Sequence, residues 1–413
     1  MIDTAIIGAG PYGLSVAAHF RSRGIPFRIF GRPMDSWLKH MPKGMQLKSD
    51  GFASNICDAD GALTLKRFCA DRGITYSDTA MPVALDTFTS YGLAFRDRFV
   101  SDLEEKMVVS IERAADGFRL RLDDGEEFDA RRVVLAVGIT HFACLPDDLA
   151  KLPPQFVSHS SDQHELEPFR GKKVAVIGGG SSALDWAGLL ADNGTEVMLV
   201  ARQTALKFHG KPVVGQVRST WDRIRRPQSG LGPGLRSRFY ATSPLTFHHL
   251  PQKLRLDVVR THLGPSGGWF IKDKVVGRVP CFLGNSIERT EVQGNRVRLY
   301  LQGVDGSHRQ LDVDHILAGT GYKVNLNRLT FLSDDIRTKV KTVENTPILS
   351  TSFESSVPGL HFVGVSAANS FGPVMRFAYG AGFTARHLSK CMASTLSKSR
   401  ASVQVPGAVT ISR

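Results

Sequence analysis

The residues best placed to do chemistry are glycines. Thr4-Ala5-Ile6-Ile7 runs into Gly8-Ala9-Gly10-Pro11-Tyr12-Gly13, and Lys173-Val174-Ala175-Val176-Ile177 runs into Gly178-Gly179-Gly180-Ser181-Ser182-Ala183. The spacings are G-x-G-x-x-G and G-x-G-x-x-A, each between an apolar run and a helical pattern. In such a strand–turn–helix the first glycine permits the turn, the second lets the backbone approach a pyrophosphate, and the third lets helix and strand pack closely. The free N–H groups and the dipole of the following helix then face the phosphates. One copy alone would be weak evidence for a dinucleotide site. Two copies, each in readable context, make a pair of such sites the expectation.

The residues that end each second strand bear on which dinucleotide binds. An acid there holds a ribose hydroxyl in the usual fingerprint. After Phe27-Arg28-Ile29-Phe30 the sequence has Gly31 and Arg32 instead; Arg32 could meet a phosphate or pack over an adenine. After Glu196–Val200 it has Ala201-Arg202, and a cation in that place suits the 2′-phosphate of NADP. A chemically mixed loop follows the first unit, Trp37 to Ser49, with Met45 and Lys48 inside it. Its position makes it a candidate cofactor contact.

The elements that position these residues recur. Lys106–Ile111 and Phe118–Leu122 read as a small antiparallel meander containing Val109, followed by Arg132–Val137 as a buried strand ending at Gly138. Glu288–Val292, Arg296–Leu301 and His315–Ala318, ending at Gly319-Thr320-Gly321-Tyr322, repeat that order. Residues 60–106 read as helical between the loop and the meander. A third segment, Leu360–Val365, then Asn369 to Gly382 and a helix to about Leu388, would return to the first sheet. The fold class is therefore α/β, with two Rossmann-like dinucleotide-binding domains, the second inserted in the first. The expected divisions are 1–165, 166–324 with a basic insertion at 203–280, 325–391, and a loosely held polar tail at 392–413. The insertion carries Lys207, His209, Lys211, Arg218, Arg223, Arg225, Arg226, Arg236 and Arg238, and reads as a lid or substrate-domain element. His248-His249 in an extended segment would point apart and suggest no metal.

Bulk properties narrow the class. The 413 residues exceed one ordinary core, and 42% hydrophobic with 22% charged residues is a globular composition. No secretory pattern and no apolar run of membrane-spanning length is visible. The five cysteines are scattered without C-x-x-C, which fits a cytoplasmic protein and argues against a disulfide framework, a zinc site or a dithiol centre. The net charge of +13 brings no nucleic-acid-binding signature with it. Two phosphate-bearing cofactors use part of this charge, and a solvated surface accounts for the rest. The sequence leaves the oligomeric state open.

Together these motifs resemble the class B flavin-dependent monooxygenases, the superfamily of flavin-containing monooxygenases and amino-acid N-hydroxylases. The resemblance covers most of the chain. It rests on the two glycine loops, on Gly319-Thr320-Gly321-Tyr322, and on Phe371-Gly372-Pro373 leading to Arg376-Phe377. The Met41-Pro42-Lys43-Gly44-Met45 loop with Leu47-Lys48-Ser49 is similar to one in bacterial FAD-dependent urate hydroxylases. Two features depart from the pattern: Gly31 replaces the ribose acid, and of the fingerprint before the second loop only His159-Ser160 remain. The resemblance implies FAD at the first loop and NADPH at the second. It also implies oxygenation of a small nucleophilic or aromatic substrate by dioxygen through a C4a-hydroperoxyflavin, with urate-type hydroxylation included. Lys48, Asn55, Asn369 and Arg376 become the polar candidates near the flavin. The alternatives are an NAD(P)H oxidoreductase or electron-transfer flavoprotein without oxygen insertion, and a non-enzymatic nucleotide-binding protein.

Overall fold

The computed structural model describes residues 1–211 and 219–403; Arg218 and tail residues 404–413 lie outside the described residues. Strand Ile2–Ile7 lies inside the first sheet. It pairs in parallel with Phe27–Phe30 on one side and with Glu127–Leu135 on the other, so that Ile6 lies between Ile29 and Val134. The meander follows as Gly117–Leu122 and Val108–Ala114, both antiparallel. Leu360–Phe362 returns to this sheet, pairing in parallel with Val133–Leu135. The side chains of Ala5, Ile6, Val133, Val134 and Leu360 are fully buried, as a parallel sheet covered on both faces requires.

The second sheet is wholly parallel, in the order Cys281–Leu283, Glu196–Ala201, Lys173–Ile177, His315–Ala318, Val157–His159. Because Val157–His159 pairs here, the second unit takes chain from before residue 166. A separate antiparallel sheet of Asn285–Gln293, Arg296–Gly303 and His308–Val313 packs against one face of it.

Several sequence expectations are corrected. Within residues 60–106 only Leu65–Asp71 and Leu85–Phe99 are α-helical, because turns at Gly61 and Gly73 interrupt the pattern. The final helix runs Gly380–Val403, well past Leu388. Residues 383–403 contain no glycine or proline to stop it, and Ala385, Leu388 and Met392 are buried on its inner side. The described part of the insertion contains helices at Thr220–Arg225, Leu235–Thr242, Pro244–His248, Gln252–Thr261 and Lys272–Val275. His248 and His249 thus sit at a helix end with ring centroids 5.4 Å apart, rather than on an extended segment. The insertion packs on the closing segment of the first unit: His248 against Phe371, and Phe247 beneath Gly372.

Candidate active site between two dinucleotide folds

The first glycine loop opens into a cavity of about 1290 Å³, part of it open to solvent. Its walls include Gly8, Gly10, Pro11 and Tyr12 from the loop, Arg32 and Trp37 after the second strand, and Gly138 after the third. The loop glycines divide the work. A Cβ on Gly8, where φ is +113°, would lie 2.3 Å from the Ala136 carbonyl oxygen, and one on Gly13 would lie 1.8 Å from that of Gly8. Both glycines serve the packing of strand, loop and helix Pro11–Ser22. A Cβ on Gly10 would meet nothing nearer than the Trp37 ring at 3.9 Å. It would project into the cavity, where a close-lying pyrophosphate needs bare backbone. The cradle fits the phosphates of a dinucleotide.

Tyr12 ties the far end of the sequence to the wall of this cavity. Its hydroxyl lies 2.8 Å from the Phe377 carbonyl and 3.0 Å from that of Met375, donating to one at a time. Burial pushes the phenol far above its ordinary range, so it stays a donor. Arg376, between those two residues, lines the cavity. Its guanidinium donates to His262 O at 2.7 Å and Val259 O at 3.3 Å in the insertion, while Nε is buried without a partner. Burial lowers its pKa.

The other expected residues divide. Lys48 does not line this cavity; its ammonium donates to Ser266 O at 3.2 Å, beside the second loop. Asn55 is a local brace, donating to Phe52 O at 2.9 Å and accepting from Leu65 N at 2.7 Å. Asn369, Met45 and Ser49 lie outside the lining. Val109 is 43% exposed on the opposite side of its strand; Met107 and Val108 reach the cavity instead. Phe371, Gly372 and Pro373 are packing residues, with Phe371 stacked on Phe353 at 4.1 Å. The closing contribution comes from Val363–Val365 and Met375–Ala378. The sequence carried a signal for the first of these: Gly364 follows its parallel strand as Gly138 follows Leu135.

The second loop repeats the design. Gly178 has φ +132°, and a Cβ there would lie 2.4 Å from the Gly319 carbonyl oxygen, whereas Gly180 begins helix Ser181–Asp192 with only Pro265 nearby, at 3.7 Å. Ser182 is half-buried in the first turn, and Arg202 is exposed at the end of Glu196–Ala201. Gly321 accepts from His159 Nε2 at 3.1 Å, and Tyr322 packs edge-on to His159. Both lie at the crossing between units rather than in the first cavity.

Sequence reasoning missed Asp185. This carboxyl is buried in the second helix, with Ser181 Oγ 3.3 Å away, and burial pushes its pKa from 3.8 up to about 7. The Ser181 hydrogen bond and the Lys48 charge oppose that rise. Burial in turn lowers the pKa of Lys48. Lys48 of the first unit thus faces the loop and the acid of the second.

Two parallel-sheet units, each with a glycine loop at the start of a helix, form a two-dinucleotide fold. The sequence matches the pyridine nucleotide-disulphide oxidoreductase family over residues 5–226, and the chain belongs to that family. A ferredoxin–NADP reductase of Streptococcus pyogenes is 27% identical over 210 residues, 50% of this chain and 56% of the reductase. The chain thus spans just over half the length of that relative. Indole-3-pyruvate monooxygenase YUCCA1 of Oryza sativa is 27% identical over 342 residues, 78% of this chain and 77% of the relative. Among solved structures, ornithine hydroxylase PvdA of Pseudomonas aeruginosa shares the fold with TM-score 0.73 at 16% identity, over 96% of this chain and 100% of that one. Flavin-containing monooxygenase of Stenotrophomonas maltophilia matches at TM-score 0.65 and 17% identity, over 96% and 99%.

Proposed function

We propose that the chain is an NADPH- and FAD-dependent monooxygenase acting on a small substrate, with FAD in the first cavity and NADPH at the second loop. The observation that carries this reading is the first cavity, walled by both ends of the chain and partly open to solvent. Its glycine loop, Trp37, Met375 and Phe377 wall it, and the Tyr12 hydrogen bonds tie the closing segment over it. None of the five cysteines lines it, which disfavours the disulfide chemistry of the family's name. The monooxygenase relatives and structural neighbours support the same reading.

When bound, the flavin supplies hydride acceptance and activation of dioxygen. The chain's own residues supply binding, position and dryness. Gly10 would present bare backbone to the pyrophosphate. Trp37 and Phe377 would cover part of the bound cofactor from water. Arg376 places a positive charge at the wall, and Arg202 awaits the 2′-phosphate. Beside the second loop Asp185, pushed up to about 7 by burial, titrates near neutral pH, with the Lys48 charge opposing the rise.

One observation favours electron transfer to a protein acceptor without oxygen insertion. A net charge of +13 complements an acidic partner, and a ferredoxin reductase is among the relatives. The test is to supply FAD, NADPH and isotope-labelled dioxygen with a panel of purines including urate, amines and thioethers. Labelled product in proportion to NADPH consumed is expected with at least one of them. Hydrogen peroxide alone throughout the panel, with rapid reduction of ferredoxin, would replace this reading by the second.

A further inference from the structure

The first unit lacks the acid that should end its second strand, and the structure shows why. Gly31 has φ +129°, and a Cβ there would stand 3.4 Å from both Ala9 N and Gly8 Cα. That backbone disfavours any L side chain, and the side-chain direction runs into the glycine loop itself. The conformation turns the chain back. Gly31 N donates to Glu104 O at 3.0 Å, and Met34, in a left-handed conformation, donates its N–H to Ala9 O at 3.1 Å. The short helix Asp35–Lys39 begins there, pinned to the loop by that hydrogen bond. Asp35 and Ser36 line the cavity, and Trp37 lies beside Gly10.

Asp35 is the one carboxylate among the described residues lining this cavity. Glu104, the nearest alternative in the chain path, spends both oxygens on Arg28, each at 2.7 Å. Asp35 has looser partners, Lys39 Nζ and His40 Nε2, each at 3.4 Å. A carboxylate has about four acceptor sites, so capacity remains for a ligand's hydroxyl groups.

We propose that Asp35 takes over the task of the missing strand-end acid, its carboxylate accepting hydrogen bonds from the adenosine ribose hydroxyls of FAD. The inference rests on the reading that FAD occupies the first cavity. Gly31 and Asp35 are then two halves of one device: the glycine turns the chain, and the acid reaches the cavity four residues later.

Flavin fluorescence titration of the apoprotein tests this, with FAD and with an FAD analogue lacking the adenosine 2′-hydroxyl. A hydrogen bond to a charged group is worth about tenfold or more in affinity. Wild type is expected to bind the analogue about tenfold more weakly than FAD. Asp35→Ala is expected to lose about tenfold for FAD and to bind the two ligands alike. Lys39→Ala, which removes only an exposed partner, is expected to stay within about threefold of wild type. Thermal unfolding of each apoprotein separates binding from folding. Unchanged FAD affinity in Asp35→Ala would overturn the proposal, as would an equal loss for both ligands. In those cases the FAD reading stands; if wild type binds no FAD, both fall together.

Discussion

Replacing Gly10 by alanine should separate cofactor binding from folding within one short loop. Gly10 has φ −86° and ψ −173°, extended backbone that alanine adopts freely. The added methyl would have no neighbour closer than 3.9 Å. The apoprotein should therefore be as stable as wild type to within about 0.5 kcal/mol, or gain about 0.4–1 kcal/mol from the stiffer unfolded chain. The same methyl would hold a pyrophosphate off the backbone N–H groups. Losing one hydrogen bond to a charged acceptor costs about 1.5–3 kcal/mol, which is about 10- to 100-fold in affinity. Valine, being larger, should abolish FAD retention. Gly8→Ala is the contrasting case. Its Cβ would lie 2.3 Å from a backbone oxygen at positive φ, so the sheet itself must move. That should consume several kcal/mol of a total stability of roughly 5–15 kcal/mol. The assay is thermal unfolding of each apoprotein beside a flavin titration. Wild-type FAD affinity in Gly10→Ala would refute the reasoning, and so would an apoprotein as unstable as that of Gly8→Ala.

Two further outcomes follow from the second unit. Arg202→Ala should raise KM for NADPH about tenfold, the scale of one charge-assisted contact to phosphate, while leaving KM for NADH nearly unchanged; equal effects would remove the 2′-phosphate role. Asp185 should make stability fall with pH. Its folded pKa is raised from 3.8 to about 7, so between those values the folded chain keeps a proton that the unfolded chain releases. At 1.36 kcal/mol per pH unit this window is worth at most about 4 kcal/mol. Asp185→Asn should therefore gain on wild type as pH rises from about 4 to about 7, with no further gain above. Parallel unfolding curves for the two proteins across that range would contradict the assignment.

The sequence made the glycine loops legible because their chemistry is local. A strand, three small residues and a helix lie within twenty positions, and neither loop needs distant chain to take its shape. The return of Leu360–Phe362 to the first sheet was legible for the same reason, as an apolar run ending near Gly364. What escaped depends on segments far apart. Val109 and Val108 are indistinguishable by composition, and only the pairing with Gly117–Leu122 decides which faces the cavity. Phe371 reads as a ligand contact until Phe353 and His248 are seen to fill both its sides. Asn55 reads as a polar candidate until its amide is seen bracing Phe52 and Leu65. Asp185 looks like a surface residue of an amphipathic helix. It is buried because residues 264–267 and the loop bearing Lys48 cover that end of the helix.

The junction between the units follows a different logic from either loop. Each cradle is built from backbone, which carries no net charge and needs no partner to be stable when buried. The contacts that join the cradles use charged side chains. Lys48 reaches Ser266, Arg376 reaches Val259 and His262, and Arg255 reaches Ser370 at 3.4 Å. The hydrogen bonds of these cations go to backbone carbonyls, and Arg376 Nε and Arg255 Nε are buried without partners. Such contacts are poor sources of stability, because a buried cation on a neutral acceptor recovers only part of its desolvation cost. Apolar side chains would hold the insertion more cheaply. Charge kept there at the expense of stability is consistent with the proposed binding of phosphate-bearing cofactors on either side of the junction. The junction is also where the two dinucleotides would have to meet.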